Sequence, residues 1–380
     1  MSQKNKVYFE NLNAIRFIAA FLVIICHVEE LKDFFGIDRV LDISQNRLIG
    51  RIGVVLFFVL SGFLITFLLF KEKEVTNTIS VKKFYIRRML RIWPLYFFIV
   101  LFTFFVVPFV SFLVVDGYDK NLLWSHLPTK LFLYVAFLPN LVCAIYGKIP
   151  YVAITWSIGA EEQFYLIWPW LNKKIKNKWL LMFSIIGGYF LVKRYMFFLP
   201  HSMHLVFKNF WAMTLIDCMA IGGVFATLLY QDNAIVNKIK SILYYKIVQW
   251  FVLLLSIYLV YIDFKLKDYY CEIYSVLFGI LILNFASNPK RIFSMENKVL
   301  NYLGKISYGL YIYHYILIII VLRFCHEFSI QNNFVYFIFS FILTIIVASL
   351  SYKYFEKRFI DKKVAYSDVL SGENASLSDK

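Results

Sequence analysis

Residues 11–27 read NLNAIRFIAAFLVIICH. Apart from Asn11, Asn13, Arg16 and His27 this run is apolar, and it approaches the ~20 residues an α-helix needs to cross a hydrocarbon core. Working outward, apolar stretches of similar length recur near 50–70, 92–115, 152–171, 179–199, 208–230, 244–262, 270–286, 302–322 and 333–355. The 380 residues are 61% hydrophobic and 20% aromatic, with a mean hydropathy of +0.67. A soluble fold cannot hide that much apolar surface. The reading is an all-α, multi-pass membrane protein, a bundle of about ten transmembrane helices around a polar cavity. One membrane domain fills residues 1–360, and 361–380 are expected to be a short disordered cytoplasmic tail. The amino terminus has no small-residue cleavage pattern, so the first apolar segment is expected to stay as a span. Segment 131–147 is apolar but short and contains Pro139 and Asn140, which leaves open whether it spans or re-enters.

The formal charge is +16. Its Lys and Arg residues sit in short clusters between apolar runs, which points to lipid headgroups and an anionic cofactor and away from nucleic acid. With the amino terminus inside, alternate loops beginning with it carry 26 Lys and Arg against 12 in the opposite loops. Positive charge accumulates on the cytoplasmic side, so both termini are expected in the cytoplasm and the chain in the cell (inner) membrane. The five cysteines are scattered and mostly inside apolar runs, suiting neither a disulfide framework nor zinc, and no metal is expected.

Ionisable side chains inside a span are expensive and mark candidate sites. Arg16 and His27 are eleven residues apart, about three turns plus 20°, so they share one helix face at about 16 Å separation and are expected to line one cavity. A histidine there is either catalytic or a structural hydrogen-bonder. In YVAITWSIGAEEQFY (151–165), Ser157, Glu161 and Tyr165 recur every four residues and put a hydroxyl, a carboxylate and a phenol on one face. That stripe is either a site or an interhelical hydrogen-bond network. Ser307, Tyr308, Tyr311 and His314 form a second polar stripe. Ser61-Gly62 is small enough for close helix approach, and Asp217 is either a site residue or half of a salt bridge. In FYIRRMLRIWP (84–94), Arg88 and Arg91 project from one face at the membrane entrance, next to Arg87. Guanidinium forks match phosphate oxygens. The plain alternative is the anchoring charge any inner loop carries.

Taken together, NLNAIRFIAAFLVIICH, FFVLSGFLIT, FYIRRMLRIWP, TWSIGAEEQFYLIWP and LGKISYGLYIYH resemble, in order along nearly the whole chain, the membrane-bound acyltransferase family 3, which includes O-acetyltransferases of O-antigen, exopolysaccharide and nodulation factors. The resemblance implies an O-acyltransferase that moves an acyl group, most simply acetyl, from cytoplasmic acyl-CoA to a hydroxyl of a surface polysaccharide or its lipid-linked precursor. It implies His27 as general base, with Glu161, Ser157 and Arg16 completing the catalytic set. Arg88 and Arg91 are implied for the acyl-CoA donor, with Arg87 expected to help, and the polar side chains read from the spans make Tyr165, Tyr311, His314 and Ser61 the candidates for substrate contact. A covalent route, with Ser61 or His27 acylated first, stays open. The family usually carries an acid where this chain has Asn13, so a carboxylate partner for Arg16 must come from elsewhere or be absent. It often carries an arginine just ahead of the residue matching Asp217, where this chain has Leu215 and Ile216. Some relatives append an SGNH-type esterase domain, and none is expected in the residues after the tenth span. The rival class is a transporter or flippase, since intramembrane His, Arg and Glu also build substrate paths, but no repeated half is visible.

Overall fold

The computed structural model describes residues 5–115, 117–198, 200–265 and 269–371. The principal helices are α1 (Leu12–Leu31), α2 (Ile43–Thr76), α3 (Val81–Phe105), α4 (Trp156–Lys174), α5 (Lys178–Tyr195), α6 (Ile216–Tyr230), α7 (Tyr270–Ser287), α8 (Ser307–Glu327) and α9 (Asn333–Ser351). Among the described residues, seven helices are long and apolar enough to cross a membrane, or eight if Ala234–Leu243 and Lys246–Tyr261, bent by 62°, form one span. Two expected spans exist as helices but fall outside that set because of their charges. α4 carries Glu161, Glu162, Lys173 and Lys174, and α5 carries Lys178, Lys193 and Arg194. The uncertain segment folds into two short helices, Leu127–Val135 and Pro139–Tyr146, separated at Phe137 with φ 55°. At ~1.5 Å per residue neither alone reaches across a bilayer.

Local chemistry sets several helix starts. Asn332 accepts hydrogen bonds from the backbone of Phe334 and Val335 and so opens α9. Asn11 sits at φ 62°, a left-handed conformation that asparagine tolerates. From there its side chain donates to Phe285 O at 3.0 Å and accepts from Met295 N at 2.6 Å, which pins the entry of α1 to the 285–296 segment.

α2 packs on both α1 and α6. Its contact with α6 depends on two glycines: a Cβ on Gly62 would stand 1.9 Å from Met219 O, and one on Gly222 would stand 2.1 Å from Val59 O. The small-residue reading of Ser61-Gly62 therefore divides. Gly62 lets the helices touch, while Ser61 faces the interior cavity. The outer surface is studded with exposed Leu166, Ile247, Phe251 and Phe334, as a lipid-facing belt demands.

The expected 71–91 loop is mostly helix. α2 runs to Thr76 and α3 begins at Val81, so Arg87, Arg88 and Arg91 lie in the first turns of α3. The carboxy-terminal segment also differs from the expected tail. A helix spans Lys357–Lys363, and β2 (Val369–Ser371) pairs in parallel with β1 (Asn5–Val7). Contacts to α3 hold it in place: Lys83 pairs with Asp368 at 2.7 Å, and Arg87 donates to Tyr366 O at 2.9 Å. Residues 372–380 lie outside the described residues.

Candidate active site

α1, α2, α3, α4 and α8 enclose a cavity of about 220 Å³. Arg16, Arg88, Arg91, Lys305 and Lys363 line it, with Glu161 as the acidic member of the lining. β1 and β2 contribute Val7 and Ser371 to the same mouth. Arg88 and Arg91 reach it together because i and i+3 share a helix face. Arg88 lies 5.8 Å from the Tyr165 ring and its Nε is buried without a protein partner among the described residues. Arg16 donates to Asn13 Oδ1 at 2.8 Å, so an amide oxygen stands where the family resemblance leads one to look for a carboxylate.

The deeper wall is built from hydroxyls. Ser61 Oγ and the Tyr165 hydroxyl are hydrogen-bonded at 2.5 Å, and both act on the Glu161 carboxyl group. Ser157 Oγ lies 2.6 Å from the Tyr311 hydroxyl, which also donates to Ile154 O at 2.9 Å. The Ser157, Glu161 and Tyr165 stripe thus lines the cavity as one face of α4, joined by Ser61 from α2 and Tyr311 from α8.

His27 and His314 stand outside the cavity lining. The expectation that Arg16 and His27 line one cavity is not met: Arg16 lines it and His27 does not. The His314 ring centroid lies 5.7 Å from that of Tyr311, and the His27 ring centroid 5.0 Å from that of His314. Hydrogen bonding fixes the arrangement of the two imidazoles. His314 Nδ1 is 3.2 Å from Leu310 O, which can only accept, so Nδ1 carries the hydrogen and Nε2 keeps its lone pair. His27 Nδ1 then donates to His314 Nε2 at 2.9 Å. The remaining lone pair of His27 is on Nε2, 3.6 Å from Glu30 Oε2. Glu30 in turn pairs with Lys148 at 3.0 Å. Cys26, His27 and Glu30 also present ligand atoms within 4.8 Å of one another, but the Glu30 carboxylate already holds an ammonium group.

Arg87 belongs to a different contact. It pairs with the buried Glu72 at 2.7 Å in a side pocket next to the main cavity, so its guanidinium is committed to the protein. Glu162, the second carboxylate of the α4 pair, turns from the cavity to accept from Trp93 Nε1 at 3.0 Å. Asp217 is fully buried at the start of α6, away from the cavity, near Glu272 and Lys193. Sequence reasoning missed Lys305 and Lys363 as lining residues, whereas Tyr308, from the second polar stripe, does line the cavity. Lys305 stood in the quoted LGKISYGLYIYH string, and Lys363 stood in the supposed tail and gave no signal.

The chain matches the profile of the Acyltransferase domain family over residues 9–353 and belongs to that family. Among curated relatives, a protein described as "Putative O-acetyltransferase" from Staphylococcus aureus strain COL is 28% identical, covering 94% of this chain and 58% of its own. O-acetyltransferase OatA from Staphylococcus aureus strain NCTC 8325 is 25% identical, covering 92% of this chain and 57% of its own. The chain therefore spans a little over half the length of the curated relatives it matches. No solved structure matches it.

Proposed function

We propose that this chain is a multi-pass membrane O-acetyltransferase that takes an acetyl group from cytoplasmic acyl-CoA and gives it to a hydroxyl of a cell-surface polysaccharide or its lipid-linked precursor. The observation that carries this reading is a cation-lined cavity whose lining includes the bonded Ser157–Tyr311 hydroxyl pair, with the His314–His27 imidazole pair next to Tyr311. Parallel pairing of β1 with β2 brings both terminal segments to the arginine-rich mouth, which supports a cytoplasmic face holding both termini and the donor. We count α4 and α5 as spans, since Glu161, Glu162 and Lys193 meet protein partners or the cavity and exposed Lys173, Lys174 and Arg194 lie at helix ends, which makes about ten.

A cavity of about 220 Å³ suits the slender arm of acyl-CoA, with the nucleotide left at the mouth beside Arg88 and Arg91. For transfer the hydroxyl pair of Ser157 and Tyr311 parts and the acyl end passes it to reach His27 Nε2, which faces Glu30. The acceptor hydroxyl approaches His27 Nε2 from the Glu30 side. Its oxygen attacks the acyl carbon, its proton passes to His27 Nε2, the C–S bond breaks, and the proton is returned to the departing thiolate. Glu161, held by Ser61 and Tyr165, orients the inner wall, and Arg16 adds positive charge beside the path. In this reading His314 is a positioning residue, because it fixes which nitrogen of His27 is basic.

The test is NMR analysis of surface sugars from cells with the intact protein, without it, and with His27→Ala. Loss of O-acetyl signals at normal protein abundance supports the reading. Signals that persist in His27→Ala remove His27 from the mechanism.

A further inference from the structure

Lys363 closes the Lys357–Lys363 helix, which packs on α3 beside Arg88 and Arg91. It is only 8% exposed, yet it lines the main cavity and also the side pocket next to it. The guanidinium groups of Arg91, Arg88, Arg87 and Arg16, all of its own sign, are the leading charges that act on its ammonium group beyond burial itself. Other buried lysines of this molecule have acceptors. Lys32 pairs with Glu29 and donates to Asn333 Oδ1, and Lys130 donates to Leu122 O and Ser125 Oγ. A buried cation among like charges is strongly unfavourable, so such a lysine either gives up its proton or takes an anion. Here the position faces open cavity space, where an anionic ligand keeps it charged.

The chemistry of that anion follows from its neighbours. Guanidinium forks bind oxygens in pairs, and an ammonium group adds a compact point charge, a combination suited to phosphate. A phosphate monoester, which carries more charge than a bridging phosphodiester at neutral pH, answers best to one lysine surrounded by arginines.

We propose that Lys363, with Arg88 and Arg91, binds the terminal phosphate monoester of the donor's nucleotide, the 3′-phosphate of acyl-CoA, and so makes this phosphate a determinant of donor choice. The proposal rests on the donor reading above and adds to it a ligand from the carboxy-terminal segment. It also gives that segment a purpose: the Lys83–Asp368 and Arg87–Tyr366 contacts hold Lys363 at the mouth.

The test is equilibrium binding of radiolabelled acetyl-CoA to the purified full chain in nanodiscs, with coenzyme A and 3′-dephospho-coenzyme A as competitors. For the unaltered protein we expect coenzyme A to compete at least tenfold better than the dephospho form. Lys363→Gln should weaken acetyl-CoA binding about tenfold or more and erase the preference, whereas Lys363→Arg should keep it. Lys357→Gln, an exposed change on the same helix, should alter neither quantity. Equal competition by the two nucleotides in the unaltered protein, or an intact preference in Lys363→Gln, overturns this proposal while leaving the donor site standing. No acetyl-CoA binding by the unaltered protein overturns the donor reading itself. Nanodiscs of phosphatidylcholine alone and with phosphatidylglycerol separate the other source of phosphate. If Lys363→Gln loses only a phosphatidylglycerol-dependent rise in melting temperature and retains nucleotide preference, the ligand is a lipid headgroup and the proposal fails. The competition result on the unaltered protein requires no variant to fold.

Discussion

Replacing His314 by leucine removes the acceptor of the His27 Nδ1–H bond, 2.9 Å long, while keeping an apolar side chain in the fully buried space. The neutral hydrogen bond is worth about 0.5–1.5 kcal/mol net, and leaving its buried donor unpaired costs ~1–3 kcal/mol. If that cost falls on the orientation that presents Nε2 to the acceptor, each ~1.36 kcal/mol is tenfold in rate. The expected loss in turnover is then roughly 5- to 150-fold. Complete removal of a general base is larger, about 10² to 10⁴, so His27→Ala should lie below His314→Leu. His314→Gln offers an amide oxygen at a similar position and should recover much of the loss. The assay is the initial rate of thiol release from acetyl-CoA in inverted membrane vesicles that retain the native acceptor, with His27→Ala vesicles as the blank. Because His314 stands outside the cavity lining, the donor KM should change less than about threefold. Turnover in His314→Leu equal to the unaltered protein refutes the argument, as does a loss that appears only in KM.

Three other perturbations test the packing and charge arguments. Gly62→Ala forces a Cβ against Met219 O and should destabilise the protein by about 1–3 kcal/mol or more in thermal or SDS unfolding; Gly187→Ala, which meets nothing within 4 Å, should be neutral or stabilising by up to ~1 kcal/mol. Arg87→Gln strands the buried Glu72 carboxylate and should cost on the order of 3–5 kcal/mol; a variant of normal stability with lost acetyl-CoA binding would return Arg87 to the donor site. Outside the spans, burial opposes ionisation of Glu296, but hydrogen bonds from Asn11 N, the Tyr8 hydroxyl and Asn301 hold its pKa below the ordinary carboxylate value. A depressed folded-state pKa contributes stability above the unfolded value that disappears as pH falls through the folded one. Glu296→Gln should therefore lower the melting temperature modestly at pH 7, and the difference should shrink as pH falls below the unfolded glutamate value of about 4.3 and vanish below the lower folded one. A difference that does not shrink on acidification contradicts the assignment.

Spacing within one helix is legible in the sequence, because covalent geometry alone puts i, i+3 and i+4 on one face. Arg88 with Arg91, and Ser157 with Glu161 and Tyr165, accordingly reach the same cavity. Partners on different helices are not legible in this way. His27 and His314 are 287 positions apart, and Ser157 and Tyr311 are 154 apart. Arg87 looks equivalent to its neighbours in the sequence, but Glu72 reaches it from the preceding helix and removes it from the cavity.

By itself the sequence determined a helical membrane chain, its family, and the side chains that bring charge into lipid. Long apolar runs have one stable answer in a bilayer, and each buried charge advertises its own cost. Only the tertiary structure decided that His27 pairs with His314 outside the cavity lining and that Lys363 joins the arginines within it. Those relations arise from helices packing across hundreds of residues of chain, and no local pattern encodes which faces meet.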